Sequence, residues 1–229
     1  MNIAETVQSV VSPPHKAGYP FILGGLAALI VGLLLWHPLA WLGVIFVLFC
    51  LYFFRDPERV APPREDVLLA PADGLVVSIE QAIPPAELGL APEPRTRVAI
   101  FLSVLDVHVN RAPIAGTVQK IAYHPGLFLS AAAEKASDDN ERNALLLRTH
   151  DGQDVVVVQI AGLIARRILC GVTEGQTLTA GQRFGIIRFG SRTDLYLPEG
   201  CTPLVAVGQR MIGGETVIAA LSPRIAPLP

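Results

Sequence analysis

The sequence predicts a mainly β domain, a barrel-sandwich built from two-fold-related half-repeats, preceded by a helical hairpin in a membrane. Three observations carry this expectation. Between Ala17 and Phe54 there is no Asp, Glu, Lys or Arg. Beyond residue 66, short β-type runs alternate with turn signals. One ten-residue pattern, A-P-x-x-G-x-V-x-x-I, occurs twice.

Composition sets the frame. The chain has 229 residues, 51% hydrophobic and only 17% charged, with mean hydropathy +0.46. That is too apolar for a plain soluble protein, and the excess lies in the first quarter. A net charge of −2 with no basic stripe excludes a nucleic-acid-binding reading. Cys50, Cys170 and Cys201 show no metal-ligand spacing, so no metal site is expected and a reducing compartment is the default.

Residues 1–16 form a polar lead-in with Pro13-Pro14. Residues 17–54 are the membrane hairpin: an apolar run from Phe21 to Trp36, a break at His37-Pro38, and a second run from Leu39 to Phe54. Each half makes a helix of roughly 24 Å against a bilayer core of about 30 Å, so the hairpin either crosses the membrane or dips into one leaflet. Proline tolerates the first turn of a helix, and Trp36 and Trp41 flank the tip as interfacial anchors. Lys16 precedes the first run and Arg55, Arg59 and Arg64 follow the second, which places both ends on the cytoplasmic side. Residues 55–66 are a charged, proline-rich linker, and residues 67–229 are the β-rich domain.

In that domain strands are expected over Leu75–Ile79, Val98–Leu102, Thr117–Ala122, Ala144–Arg148 and Val155–Ile160. Residues 70–79 and 112–121 are the two copies of the repeat, which suit the halves of a lipoyl- or biotinyl-type barrel-sandwich. Such carriers present a lysine at a hairpin tip, whereas Lys120 falls inside a strand. Residues 128–143 are too long for a hairpin loop and predict a short helix followed by a loop over a site. His150 precedes Asp151-Gly152 and reads as a turn residue.

Near the end of the chain, the run from Gly185 to Phe189 meets Gly190-Ser191 and resumes at Leu195-Tyr196-Leu197. The pattern predicts a strand, a tight turn at Gly190-Ser191 and a second strand. The turn is either an ordinary hairpin or a self-cleaving one. In the second case the Ser191 hydroxyl attacks the preceding carbonyl, the amide becomes an ester, and β-elimination cuts the chain to leave a pyruvoyl group. That chemistry needs a base for the serine and a donor for the leaving nitrogen. His108, at the end of a hydrophobic strand, and Asp73, in the first half-repeat, are the candidates; each is also compatible with a structural role.

Five motifs together carry a resemblance: residues 70–74 (APADG), 101–113 (FLSVLDVHVNRAP), 135–143 (KASDDNERN), 159–168 (QIAGLIARRI) and 188–192 (RFGSR). In this order the chain resembles the phosphatidylserine decarboxylase family in its short form. The resemblance implies an Asp73–His108–Ser191 triad for self-processing at the Gly190-Ser191 bond. The products would be a β chain, 1–190, and an α chain, 191–229, held as a heterodimer. It implies a covalent pyruvoyl cofactor made from Ser191, whose ketone condenses with the substrate amine so that carbon dioxide can leave. The product is phosphatidylethanolamine. Longer members carry a second histidine where this chain has Arg111, so either His108 serves both processing and decarboxylation, or Asp73 activates Ser191 with another group. Arg166, Arg167 and Arg192 are candidates for the lipid phosphate or serine carboxylate. The implied setting is the cell membrane, with the catalytic domain on its cytoplasmic side. Two other readings stay open on the residues alone. One is a membrane-anchored adaptor or carrier without activity; the other is a soluble pyruvoyl-dependent amino-acid decarboxylase.

Overall fold

A computed structural model describes residues 12–126, 140–162, 167–188 and 191–221. The chain divides into two compact units, Met1–Glu58 and Arg59–Pro229.

The first unit is a pair of helices, α1 (Tyr19–Leu35) and α2 (His37–Phe53), entered through a 3-10 turn at Lys16–Gly18. Trp36 is extended and reverses the chain, and Pro38 occupies the first turn of α2, where its missing N–H costs nothing. The helices meet along small residues. Gly25, Gly32, Ala40 and Gly43 are buried, and a Cβ at Gly43 would stand 2.6 Å from the backbone nitrogen of Leu29. Elsewhere the surface is apolar on all sides, with Leu23, Leu34, Leu35, Trp41 and Ile45 exposed, a pattern suited to lipid and not to water. Lys16–Leu35 is long and apolar enough to cross a membrane. The open ends are tied together: the His15 N–H donates to the Phe54 carbonyl and the Asp56 N–H to that of Pro13.

The second unit is built of strands. They are β1 (Val67–Leu69), β2 (Gly74–Ala82), β3 (Arg95–Leu102), β4 (Val109–Arg111), β5 (Gly116–His124), β6 (Arg142–Arg148), β7 (Asp154–Ala161), β8 (Arg167–Cys170), β9 (Thr177–Leu178), β10 (Arg183–Arg188), β11 (Ser191–Tyr196), β12 (Arg210–Met211) and β13 (Val217–Ala220). One sheet has the order β12-β2-β3-β11-β7-β6-β5-β9; smaller sheets are β4-β10-β8 and β1-β13. All pairings are antiparallel.

The repeat read from the sequence is the symmetry of this fold. β2 and β5 both begin at the repeat glycine, and each carries a register shift after its central valine, Val76 and Val118. The two valines bond in the same way. Val76 exchanges bonds with Gly208 and Gln209, and Val118 with Gly175 and Gln176. The Ala-Pro turns swap partners, Leu69 N–H donating to Pro113 and Arg111 N–H to Pro71. The pseudo-two-fold axis therefore passes between β11 and β7, the central strands.

Alternation along these strands separates two faces. One contributes Val76, Val98, Ile100, Leu145, Leu147, Val155, Val157 and Leu195 to the main core, closed by residues such as Leu68, Ile114, Phe184 and Ile218. The other buries Ala144, Leu146, Val156, Val158, Ile160 and Tyr196 under Leu88 of the 3-10 turn Ala86–Leu88.

Two expectations need correction. β10 and β11 do not form a hairpin: β10 pairs with β4 and β8, and β11 with β3 and β7. Ser191 is the first residue of a central strand and not part of a turn, because the chain changes sheets between 188 and 191. Gly190 lies outside the described residues. The expected helix and loop at 128–143 falls mostly outside them too, but Arg142 and Asn143 already belong to β6.

Candidate active site

Ser191 sits between Leu102 of β3 and Ala161 of β7, and its side chain is fully buried. Among the described residues its Oγ has no hydrogen-bond partner. A buried hydroxyl without a partner costs free energy, so in a native chain it calls for an explanation in chemistry.

His108 is also fully buried. Its Nδ1 lies 2.9 Å from the Asp106 carbonyl. A carbonyl only accepts, so Nδ1 carries the proton and Nε2 is the basic nitrogen. Asp106 is itself fixed: its carboxylate accepts from the Ser103 N–H at 2.8 Å and from Arg210 at 2.6 Å. The Ile187 N–H donates to the His108 carbonyl at 3.2 Å, which ties the histidine to the strand leading towards Ser191.

Asp73 is half-buried in the first Ala-Pro turn. Arg59 Nη2 donates to its Oδ2 at 2.8 Å and the Gly213 N–H to its Oδ1 at 2.7 Å. The swapped turns bring this segment beside the one that carries His108, since Arg111 N–H donates to the Pro71 carbonyl. Register carries Leu75 to Phe101 and Phe101 to Arg192. Asp73 thus lies at the same end of the sheet as Ser191 but two strands away, about 10 Å. Arg111 is 3% exposed and donates to the Gly181 carbonyl at 3.0 Å.

Around Ser191 the inner face turns from apolar to polar. Asn143, Gln159 and Thr193 are register neighbours on β6, β7 and β11. Asn143 Nδ2 donates to Gln159 Oε1 at 2.9 Å, and Gln159 Nε2 donates to Asn110 Oδ1 at 2.6 Å. Asn110, Gln159 and Thr193 are fully buried. Sequence reading missed this amide chain, although a glutamine inside the run VVVVQIA and an asparagine two residues after His108 were its visible signals.

The candidate arginines separate. Arg192 projects to the opposite face from Ser191 by alternation, is 3% exposed, and is held by Asp194 through bonds of 2.6 and 2.7 Å. Arg97 and Glu80 extend that network. Arg167 is exposed at the start of β8, directly across from Arg188 of β10. Burial, and then the neighbouring Arg167 charge, pull the Arg188 guanidinium below its ordinary value, with Glu141 opposing. Arg166 lies outside the described residues.

The family profile described as phosphatidylserine decarboxylase matches residues 46–219. A phosphatidylserine decarboxylase proenzyme of Granulibacter bethesdensis is 65% identical over 97% of this chain and 91% of its own length. Proenzymes of the same name from Gluconacetobacter diazotrophicus and Cereibacter sphaeroides are 59% and 56% identical, over 96% and 95% of this chain and 100% and 94% of theirs.

Proposed function

The chain belongs to the phosphatidylserine decarboxylase family, and on that premise we propose how its residues make and use the reactive group. The family reaction removes the serine carboxyl of phosphatidylserine as carbon dioxide and leaves phosphatidylethanolamine. An adaptor or carrier role is set aside with it, since neither gives Ser191 any chemistry.

The observation that carries the reading is Ser191 Oγ, buried at the head of β11 and without a hydrogen-bond partner among the described residues. In processing, Oγ attacks the carbonyl carbon of residue 190, the C–N bond breaks, and the nitrogen takes a proton. The resulting ester loses the 1–190 carboxylate by elimination, and hydrolysis releases ammonia to leave a pyruvoyl-ended 191–229 chain. We assign the serine proton to His108, through Nε2, because Nδ1 donates to the Asp106 carbonyl. Asp73, with both oxygens engaged, orients the turn that carries it and supports this end of the fold electrostatically.

The surroundings of Ser191 suit the group: Gln159 and Asn143 share its face of the sheet with apolar side chains, and Asn110 Nδ2 and Thr193 Oγ1 are buried without an acceptor among the described residues. A pyruvoyl carbonyl supplies an electrophile for the substrate amine and a sink for the electron pair left when the carboxyl carbon departs. The chain's own residues do the rest. The dry core end excludes water from the charged carboxylate. His108 returns a proton to the substrate α-carbon. Arg167, with Arg188 across from it, offers guanidinium donors to the phosphate or carboxylate. Arg192 is already saturated by Asp194. The helical hairpin holds the enzyme at the lipid surface, with its catalytic unit on the cytoplasmic side.

The test is turnover on vesicles that contain carboxyl-labelled phosphatidylserine. The purified protein should release labelled carbon dioxide and form phosphatidylethanolamine, and Ser191→Ala should do neither. Arg167→Gln with Arg188→Gln should raise KM more than it lowers kcat. Unchanged phosphatidylserine in the presence of folded, cut protein would overturn the assignment.

A further inference from the structure

The amide chain beside Ser191 ends in an open donor. Asn143 gives its N–H to Gln159, and Gln159 gives its own to Asn110. Asn110 Nδ2 is buried and has no acceptor among the described residues. Thr193 Oγ1 and Ser191 Oγ are in the same position, but a hydroxyl can rotate towards an acceptor while this amide is fixed through its oxygen by Gln159. Gly185, the register partner of Asn110, gives the chain its room: a Cβ there would stand 3.0 Å from Gln159 Nε2 and 2.5 Å from the Leu169 carbonyl. Gln159 lies directly across from Thr193, and Ser191 is the next residue on that face, about 7 Å along the strand.

Processing changes what position 191 asks of its surroundings. Serine brings a backbone N–H and an O–H; the pyruvoyl end has neither and carries a carbonyl oxygen. The position loses two donors and exchanges a hydroxyl oxygen for a carbonyl oxygen, so that it becomes acceptor-only. A buried donor left open in the serine form is complementary to the processed form. We propose that Asn110, held by Gln159 and Asn143, is a further catalytic residue whose Nδ2 donates to the carbonyl formed at position 191, polarising it for the substrate amine. This rests on the reading of Ser191 as the precursor of that carbonyl.

The test uses the full chain in detergent, with Asn110→Leu and Asn110→Asp as variants that keep the volume but remove the donor. Two readouts are taken: the rate at which hydroxylamine adds to the 191–229 chain, followed by its mass, and kcat on dispersed phosphatidylserine. Both variants should still cut. Trapping should slow about tenfold, the equivalent of one ordinary hydrogen bond, and kcat should fall by about 10²–10³, as for loss of one preorganised donor. Gln159→Met, which frees the amide without deleting it, should give a smaller loss on both. A cut, folded variant with wild-type trapping and turnover overturns the proposal. So does a folded variant that stays uncut, because the donor would then be needed before the carbonyl exists. Should Asn110→Leu fail to fold, Asn110→Asp decides by the same criteria. A wild-type chain with no hydroxylamine-reactive end would instead overturn the Ser191 reading beneath it.

Discussion

His108 donates through Nδ1 to the Asp106 carbonyl, and two duties could fall on the residue. If it acts in both processing and decarboxylation, His108→Ala accumulates as uncut precursor. If it acts only afterwards, the variant cuts normally and decarboxylates about 10²–10⁴-fold more slowly. Intact mass and turnover on one preparation distinguish the two, and near-normal values for both would make the histidine structural. Arg111 cannot stand in as base, since a guanidinium stays protonated and this one is turned to the Gly181 carbonyl. On the outer face, Arg192 is a structural residue. Removing one member of a buried, bidentate pair leaves the other charge stranded, so Arg192→Met should cost about 3–5 kcal/mol in denaturant unfolding. His108 and Ser191 could be singled out in the sequence, as a histidine at the end of a hydrophobic strand and a serine after a glycine between two β-runs, and both are buried. The fate of Arg192 was not legible, because its Asp194 partner lies two residues away on the same strand, and one residue of register decides which face both occupy.

The elements show why some of the fold could be read and some could not. The repeated A-P-x-x-G-x-V-x-x-I foretold β2, β5 and their symmetry because each copy encodes a turn and a strand start locally. The relation of β10 to β11 had no local signal: they are short strands separated by two residues, and only their partners show that they belong to different sheets. β10 is also closely packed at Gly185. Gly185→Ala would push a methyl against the Leu169 carbonyl and the Gln159 amide. It should lower stability by about 1–3 kcal/mol and slow turnover through the displaced amide chain. Wild-type stability in thermal unfolding would contradict this packing account.

At the scale of the molecule, the apolar hairpin and the β unit are separable in sequence and in contacts. None of Ser191, His108, Asp73 or Asn110 belongs to the first unit. Removing residues 1–58 should leave a protein that still cuts itself, loses much activity on vesicles, and keeps most of it on dispersed short-chain lipid. Equal loss on both substrates would mean that the hairpin serves folding. The hairpin was legible from its 38-residue stretch without charge; the polar end of the core was not, since it is assembled from β4, β6, β7 and β11. The claim on which the rest depends is that Ser191 breaks its own peptide bond. The most direct measurement is the intact mass of purified wild-type and Ser191→Ala protein under denaturing conditions. The wild type should give two chains, 1–190 and a 191–229 chain ending in a pyruvoyl group without a free amine, and Ser191→Ala should give one chain of 1–229. A full-length wild-type chain that decarboxylates phosphatidylserine, or a cut at 190 that persists in Ser191→Ala, would contradict it.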